Sequence, residues 1–264
     1  MEEILEFPDL LRLIDERSAA FRAAVAAAPS LDVQVPTCPE WTLFDLAEHI
    51  GVGRRSWAAT IAAGPDAPAK VAAEGAPAAP REREALLAWL AASTHELLYA
   101  LREAGPDRGC WTWWETSQSP NTCRAVARHQ LQQFAVHTYD AQLTVGTAQP
   151  LPAEVALDGV EEFLVTCCAT TVAWPHEPAV IDHHATEGRS WRLWLSTGGA
   201  RIARLPTPGT PSATGEDRDA ADVSVWGTAS DLGLLFYGRI PLDSLKMDGD
   251  RRLYDLLVAW DPDA

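Results

Sequence analysis

The period of the apolar residues changes once along this chain, near residue 150, and that change restricts the folds open to it. Upstream, Leu10, Leu11, Leu13, Ile14, Phe21 and Val25 recur at helical spacing over about residues 7–28. Leu43, Leu46, His49, Ile50 and Trp57 repeat the pattern beyond Thr42, and Leu86, Leu87, Leu90, Leu97, Leu98 and Leu101 do so over about 83–103. A fourth helix is predicted over about 122–145. Beyond Gly146 one further helix, over 153–172, gives way to alternating stretches at Trp191–Leu195, Ala200–Leu205 and Ala221–Trp226, the pattern of strands covered on one face. Ser230–Gly238 and Asp250–Trp260 return to helical spacing. Four helices with one long crossover predict a four-helix bundle. The expected fold is therefore α+β, with a bundle over 1–150 and a smaller α+β domain over 151–264.

Local signals refine this plan. Leu31 to Trp41 reads as a loop, and Thr42 with Asp45 three residues on resembles a capping box that starts the second helix. Gly51 and Gly53 fall inside that helix at about 1 kcal/mol each relative to Ala, which predicts close approach of another backbone or a ligand. Ala62 to Arg81 and Pro206 to Asp219, rich in Pro, Gly and small residues, read as connections.

Charge and composition bear on partners. A net charge of −16 repels phosphate backbones and anionic lipid, so neither nucleic acid nor a membrane is an expected partner. No apolar run approaches the length of a membrane span, and the acidic start lacks a basic signal region, so a cytoplasmic protein is expected, monomeric or homodimeric. The cysteines at 38, 110, 123, 167 and 168 form no CxxC pair, which argues against a disulfide framework or a thiolate cluster.

The chemistry-bearing residues lie in two places. On the fourth helix, Gln133 and His137 stand four residues apart, roughly 40° around the axis, and Asp140 follows on the same face. His49, on the second helix, would complete a three-ligand metal site with open positions. Gln133 is the weak member, because a neutral amide is a poor zinc ligand.

These pieces resemble a known family. Val35-Pro-Thr-Cys-Pro-Glu-Trp-Thr-Leu-Phe-Asp-Leu-Ala-Glu-His49-Ile-Gly looks like the N-terminal signature of the actinobacterial mycothiol-dependent maleylpyruvate isomerase family, whose bundle is DinB-like. Phe134-Ala-Val-His137-Thr-Tyr-Asp140-Ala resembles its second signature, E-x-x-x-H-x-x-D-A, with Gln133 where that pattern has Glu. Ala221-Asp-Val-Ser-Val-Trp-Gly227, Tyr237-Gly-Arg239-Ile-Pro-Leu and Asp248-Gly-Asp250 look like the family's sterol-carrier-like C-terminal domain.

The resemblance implies a divalent metal, normally zinc, held by His49, Gln133 and His137, and the thiol mycothiol bound as its thiolate nearby. It implies addition of that thiolate to an activated cis double bond, rotation of the adduct and elimination to the trans isomer, or thiol transfer at the same site. The substrate is then a small conjugated or electrophilic molecule. A diverged relative without thiol chemistry, working by His acid–base catalysis or as a small-molecule binding or accessory protein, is the alternative, which Gln133 favours.

For several residues two readings stay open. Asp140 either orients His137 or braces the helix. His129, a turn before Gln133, either reaches the pocket as a substitute ligand or proton carrier, or lies on the surface. Arg239, at a position the family points toward the bundle's active site, either binds a substrate carboxylate or forms an ion pair with Asp243 or Asp231. Trp57, with Trp111, Trp113 and Trp114 of the loop ahead of the fourth helix, either walls a cofactor and substrate pocket or simply packs; Trp41 and Trp57 are expected in the core. His184 sits in a strand setting that suggests structure.

Overall fold

The computed structural model describes residues 5–67, 71–73, 75–206 and 221–260. It divides into two compact units, 1–115 with 120–151, and 116–119 with 152–264.

The first unit is the expected bundle: α1 (Phe7–Ala27), α2 (Leu43–Ala63), α3 (Arg83–Ala104) and α4 (Cys123–Thr144). The capping box at α2 is formed on both sides, with Asp45 N donating to Thr42 Oγ1 at 3.2 Å and Thr42 N donating to Asp45 Oδ2 at 2.9 Å. α1 packs on α3 and α4, and α2 packs on α3 and α4, burying Leu13, Ile14, Val25, Leu46, Ile61, Leu86, Leu97 and Val126 at 1% exposure or less. Each such side chain contributes on the order of 1.5–3 kcal/mol by leaving water. A polar thread runs through this core: Ser18 and Thr94 hydroxyls lie 2.6 Å apart, and Arg54 donates to Thr94 at 2.9 Å with its guanidinium 3.8 Å over the Phe134 ring.

Two local expectations need correction here. Leu31 to Trp41 is not all loop, because Gln34–Val35 (β1) and Cys38–Thr42 (β2) pair antiparallel as a small hairpin. A two-residue strand next to Pro36 carries no readable alternation. Gly51 does meet a close neighbour, but it is a side chain: a Cβ there would stand 1.9 Å from the Trp89 ring. Gly53 has no described atom within 4 Å of its Cβ position.

The second unit opens with α5 (Ala153–Phe163), which ends earlier than expected and runs into a π-turn, Leu164–Cys168. Thr170 then bridges to Ala200 and to Ser117, so the chain after Cys168 has left the helix for the sheet edge. Five strands follow: β3 (Ala179–Ala185), β4 (Ser190–Ser196), β5 (Gly199–Arg204), β6 (Val223–Gly227) and β7 (Lys246–Gly249), in the order β5-β4-β3-β6-β7. Only the β3–β6 pair among these is parallel. α6 (Ala229–Phe236) and α7 (Arg251–Ala259) complete the unit, with α5 packed on α6. On β3 and β4 the facing pair Asp182 and Arg192 forms a buried two-pronged ion pair, both contacts at 2.7 Å. The expected loop at 206–219 lies almost wholly outside the described residues.

None of the five cysteines forms a disulfide. Cys110 and Cys123 hydrogen-bond each other, which pushes the Cys110 thiol up and the Cys123 thiol down. Among the described residues no helix is long and apolar enough to cross a membrane.

Candidate functional site

Two helices of the first unit carry the site. The ring of His49 on α2 meets the ring of His137 on α4 edge-on, with centroids 5.5 Å apart and planes at 73°. Eight residues further along each helix in opposite directions, Trp57 faces His129 at 6.5 Å. The helices therefore run antiparallel past a strip about 12 Å long at 1.5 Å of rise per residue. Gln133 on α4 and Gly53 on α2 lie midway along that strip, both half-buried, and the missing side chain at Gly53 leaves space there.

His137 is the most constrained member. Its Nδ1 lies 2.9 Å from Asp140 Oδ2, and the Thr37 hydroxyl donates to Asp140 Oδ1 at 2.6 Å. Asp140 is fully buried and His137 is 8% exposed. A carboxylate only accepts, so the proton sits on Nδ1 and the Nε2 lone pair is left for the groove. This contact is the one the orienting reading of Asp140 requires. His49 is exposed, with Trp41 packed on it at 4.7 Å and 6.5 Å from His137. Trp41 is thus a half-buried wall of the site and not the core residue expected, because the hairpin lifts it out of the bundle.

His129 is buried, not on the surface: its ring is enclosed by Trp57, Trp113 and Trp114 at 6.5, 5.7 and 5.2 Å. Two helical turns separate it from His137, about 12 Å of rise, which is too far to share one ion. Trp57 and Trp114 are buried at 4% and 2% exposure, whereas Trp113 is 41% exposed. The three indoles form one end of the strip, and the two imidazoles form the other.

The donor set admits a metal in geometry. Two imidazoles on one tetrahedral zinc, with Zn–N near 2.0–2.1 Å, would hold their centroids roughly 5 Å apart. Gln133, one turn before His137, adds a neutral oxygen. No group of three or more His, Cys, Asp or Glu that could hold a metal occurs among the described residues, so the third donor would have to be the amide.

In the second unit Arg239 follows α6, and its guanidinium donates to the Tyr237 carbonyl at 2.6 Å. Asp243 pairs with Arg251, and Asp231 caps α6 through Thr228. His184 is structural: Nδ1 lies 2.8 Å from Ser190 Oγ and the ring stacks on Trp226 at 5.0 Å. Thr37 lies inside the Val35 to Gly51 motif, but nothing local in the sequence tells that its hydroxyl reaches a residue 103 positions on.

Comparison with known proteins agrees with this layout. The mycothiol maleylpyruvate isomerase N-terminal domain profile matches residues 11–142, and the MDMPI C-terminal domain profile matches 154–256. The chain belongs to the mycothiol maleylpyruvate isomerase family. In fold, this family member is similar to the crystal structure of the mycothiol-dependent maleylpyruvate isomerase, with a TM-score of 0.57 at 12% identity over 92% of this chain and 93% of that one. A histidine-to-alanine mutant of that isomerase matches with the same TM-score at 11% identity, over the same shares of the two chains. No curated protein sequence matches the chain.

Proposed function

We propose that this family member is a thiol-dependent isomerase, or a thiol transferase on the same site, acting on a small conjugated or electrophilic substrate between α2 and α4. The observation that carries the reading is the His49–His137 pair with Nδ1 of His137 committed to a buried carboxylate. Family membership supports the use of mycothiol as the thiol.

His49, His137 and the Gln133 amide oxygen are the residues that would hold a divalent cation, zinc by the chemistry of two imidazoles. Bound, such a cation stabilises a coordinated thiolate over the thiol. The chain's own residues do the rest. Asp140 keeps the proton on Nδ1 of His137, and the Thr37 hydroxyl satisfies the second carboxylate oxygen, so the imidazole is oriented before any ligand arrives. Trp41 restricts the exposed His49 ring. Gly53 leaves room for a ligand chain, and Trp57, Trp113 and Trp114 offer an apolar wall. Gln133 carries no charge, so the pocket is one unit more positive than with Glu. That favours an anionic ligand and makes a bound thiolate a weaker nucleophile.

A second reading draws on that same amide: His137, backed by Asp140, acts as a general base without thiol or metal. One experiment separates them. Maleylpyruvate is followed by NMR with the purified protein, with and without mycothiol and with and without chelator, in wild type and His137→Ala. Turnover to the trans isomer that needs mycothiol and His137 is expected. Turnover indifferent to both thiol and chelator leaves only the acid–base reading, and loss of neither thiol binding nor turnover in His137→Ala overturns both.

A further inference from the structure

The second unit contains a cavity of about 220 Å³. An apolar cavity of about 150 Å³ holds benzene, so this one has room for a somewhat larger molecule. Its walls include the stacked rings of Phe163 and Phe236, 5.0 Å apart, with Tyr254 and Leu257, and Val258, 73% exposed, marks where it opens. Among the described residues, none that lines it is Asp, Glu, Lys or Arg.

One side chain in this mostly apolar lining has its polar atoms without partners. His183 sits on β3, the central strand, fully buried, and neither of its ring nitrogens has a hydrogen-bond partner among the described residues. Its neighbours are the edges and faces of Phe236 at 5.1 Å and Tyr254 at 6.1 Å. Burial, with His184 adding to it, lowers its pKa to about 3, so the ring is neutral and presents one donor and one acceptor. Buried polar groups in folded proteins are almost always bonded, and exceptions call for an explanation. The backbone beside it is unusual too. The π-turn Leu164–Cys168 supplies Leu164, Cys167 and Cys168 to the wall, and such turns concentrate at functional sites. The same low-polarity surroundings raise the Cys168 thiol to about 12, so it too is uncharged at neutral pH.

We propose that this cavity binds a neutral, mostly apolar molecule bearing one hydroxyl, a phenol or cyclic alcohol of one or two rings, which hydrogen-bonds the ring of His183 and packs against Phe163, Phe236 and Tyr254. A charged ligand is disfavoured, because no charged side chain in the described lining offsets the desolvation of a charge. A hydroxyl suits the imidazole because it can donate to the bare nitrogen or accept from the protonated one. The site shares no residue with the thiol chemistry proposed above.

The test is calorimetric titration of the full chain with 4-ethylphenol and with ethylbenzene, which differs only in lacking the hydroxyl. Saturable binding of 4-ethylphenol is expected, about tenfold tighter than ethylbenzene, the size of one neutral hydrogen bond. In His183→Phe the two ligands should bind alike. Because that substitution could also fill the cavity, the ¹⁵N resonances of the His183 ring are followed in the unmutated protein, where they should shift with 4-ethylphenol and not with ethylbenzene. Absence of saturable binding, equal affinity for the two ligands in wild type, or His183 resonances unmoved at saturation would each overturn the proposal. So would a crystal soaked in 4-ethylphenol in which only ordered water meets His183.

Discussion

Asp140 lies three residues after His137 on α4 and accepts from its Nδ1 at 2.9 Å, while its other oxygen accepts from the Thr37 hydroxyl at 2.6 Å on the hairpin turn. One fully buried carboxylate thereby ties the hairpin to the bundle and sets the tautomer of the imidazole that faces the groove.

Replacing Asp140 by Asn keeps the size and removes the charge. The expected result is a fall of about 10–100-fold in kcat/KM, the usual cost of losing a carboxylate behind a functional His. Thr37→Val should cost less, because it removes one hydrogen bond and no charge. Steady-state kinetics with a circular-dichroism check of folding decides it, and unchanged kcat/KM in Asp140→Asn would mean the pair only braces α4.

Gln133→Glu puts an anionic donor one helical turn from His137, beside the His49–His137 pair. Zinc affinity, measured by calorimetry on metal-stripped protein, should rise by about tenfold or more. An unchanged affinity would take Gln133 out of the coordination sphere.

Arg239→Ala tests the role implied for that residue. If it binds a substrate carboxylate, as the family resemblance implies, substrate KM rises with the melting temperature held. A variant that melts several degrees lower and keeps its KM identifies a structural arginine.

In the second unit, Asp182→Ala would strand the 5%-exposed Arg192 without its two-pronged partner. Urea unfolding should show a loss of about 3–5 kcal/mol. The double replacement by leucines should recover much of it, because the desolvation cost of both charges disappears together.

His183 predicts a pH dependence of stability. Its folded pKa of about 3 lies below the ordinary 6.5, so between those values the unfolded chain binds a proton that the folded chain does not. Stability should therefore be unaffected by this residue above pH 6.5 and fall as pH drops through the window toward 3, by up to roughly 1.4 kcal/mol per unit. Thermal melts of wild type and His183→Phe across that range should diverge on the acid side. Parallel curves would locate the acid sensitivity elsewhere.

The bundle was legible because its signals are local. Apolar residues at helical spacing, Thr42 with Asp45, and Thr122 before α4 specify where helices run and which stripe they bury, and the structure keeps those bounds within a residue or two. The hairpin was not legible, since Gln34–Val35 is too short to show a period and Pro36 and Pro39 mask it. α5 was read too long because Leu164–Cys168 keeps an apolar look while its backbone widens to a π-turn.

By itself the sequence determined that His49, Gln133 and His137 stand on helices, with Gln133 and His137 on one face, since helical spacing settles which side chains share a face. Only the tertiary structure decided which residues join them. Thr37 reaches Asp140 across 103 positions, Trp41 leaves the core for the groove, and His129 goes into an indole cage, because each depends on which distant surface the element docks against. The Asp-His-His run on β3 shows the same division at its finest. Strand alternation requires His183 and His184 to face opposite ways, but only the helices packed over one face determine which ring is sealed among Phe236 and Tyr254 and which one bonds Ser190.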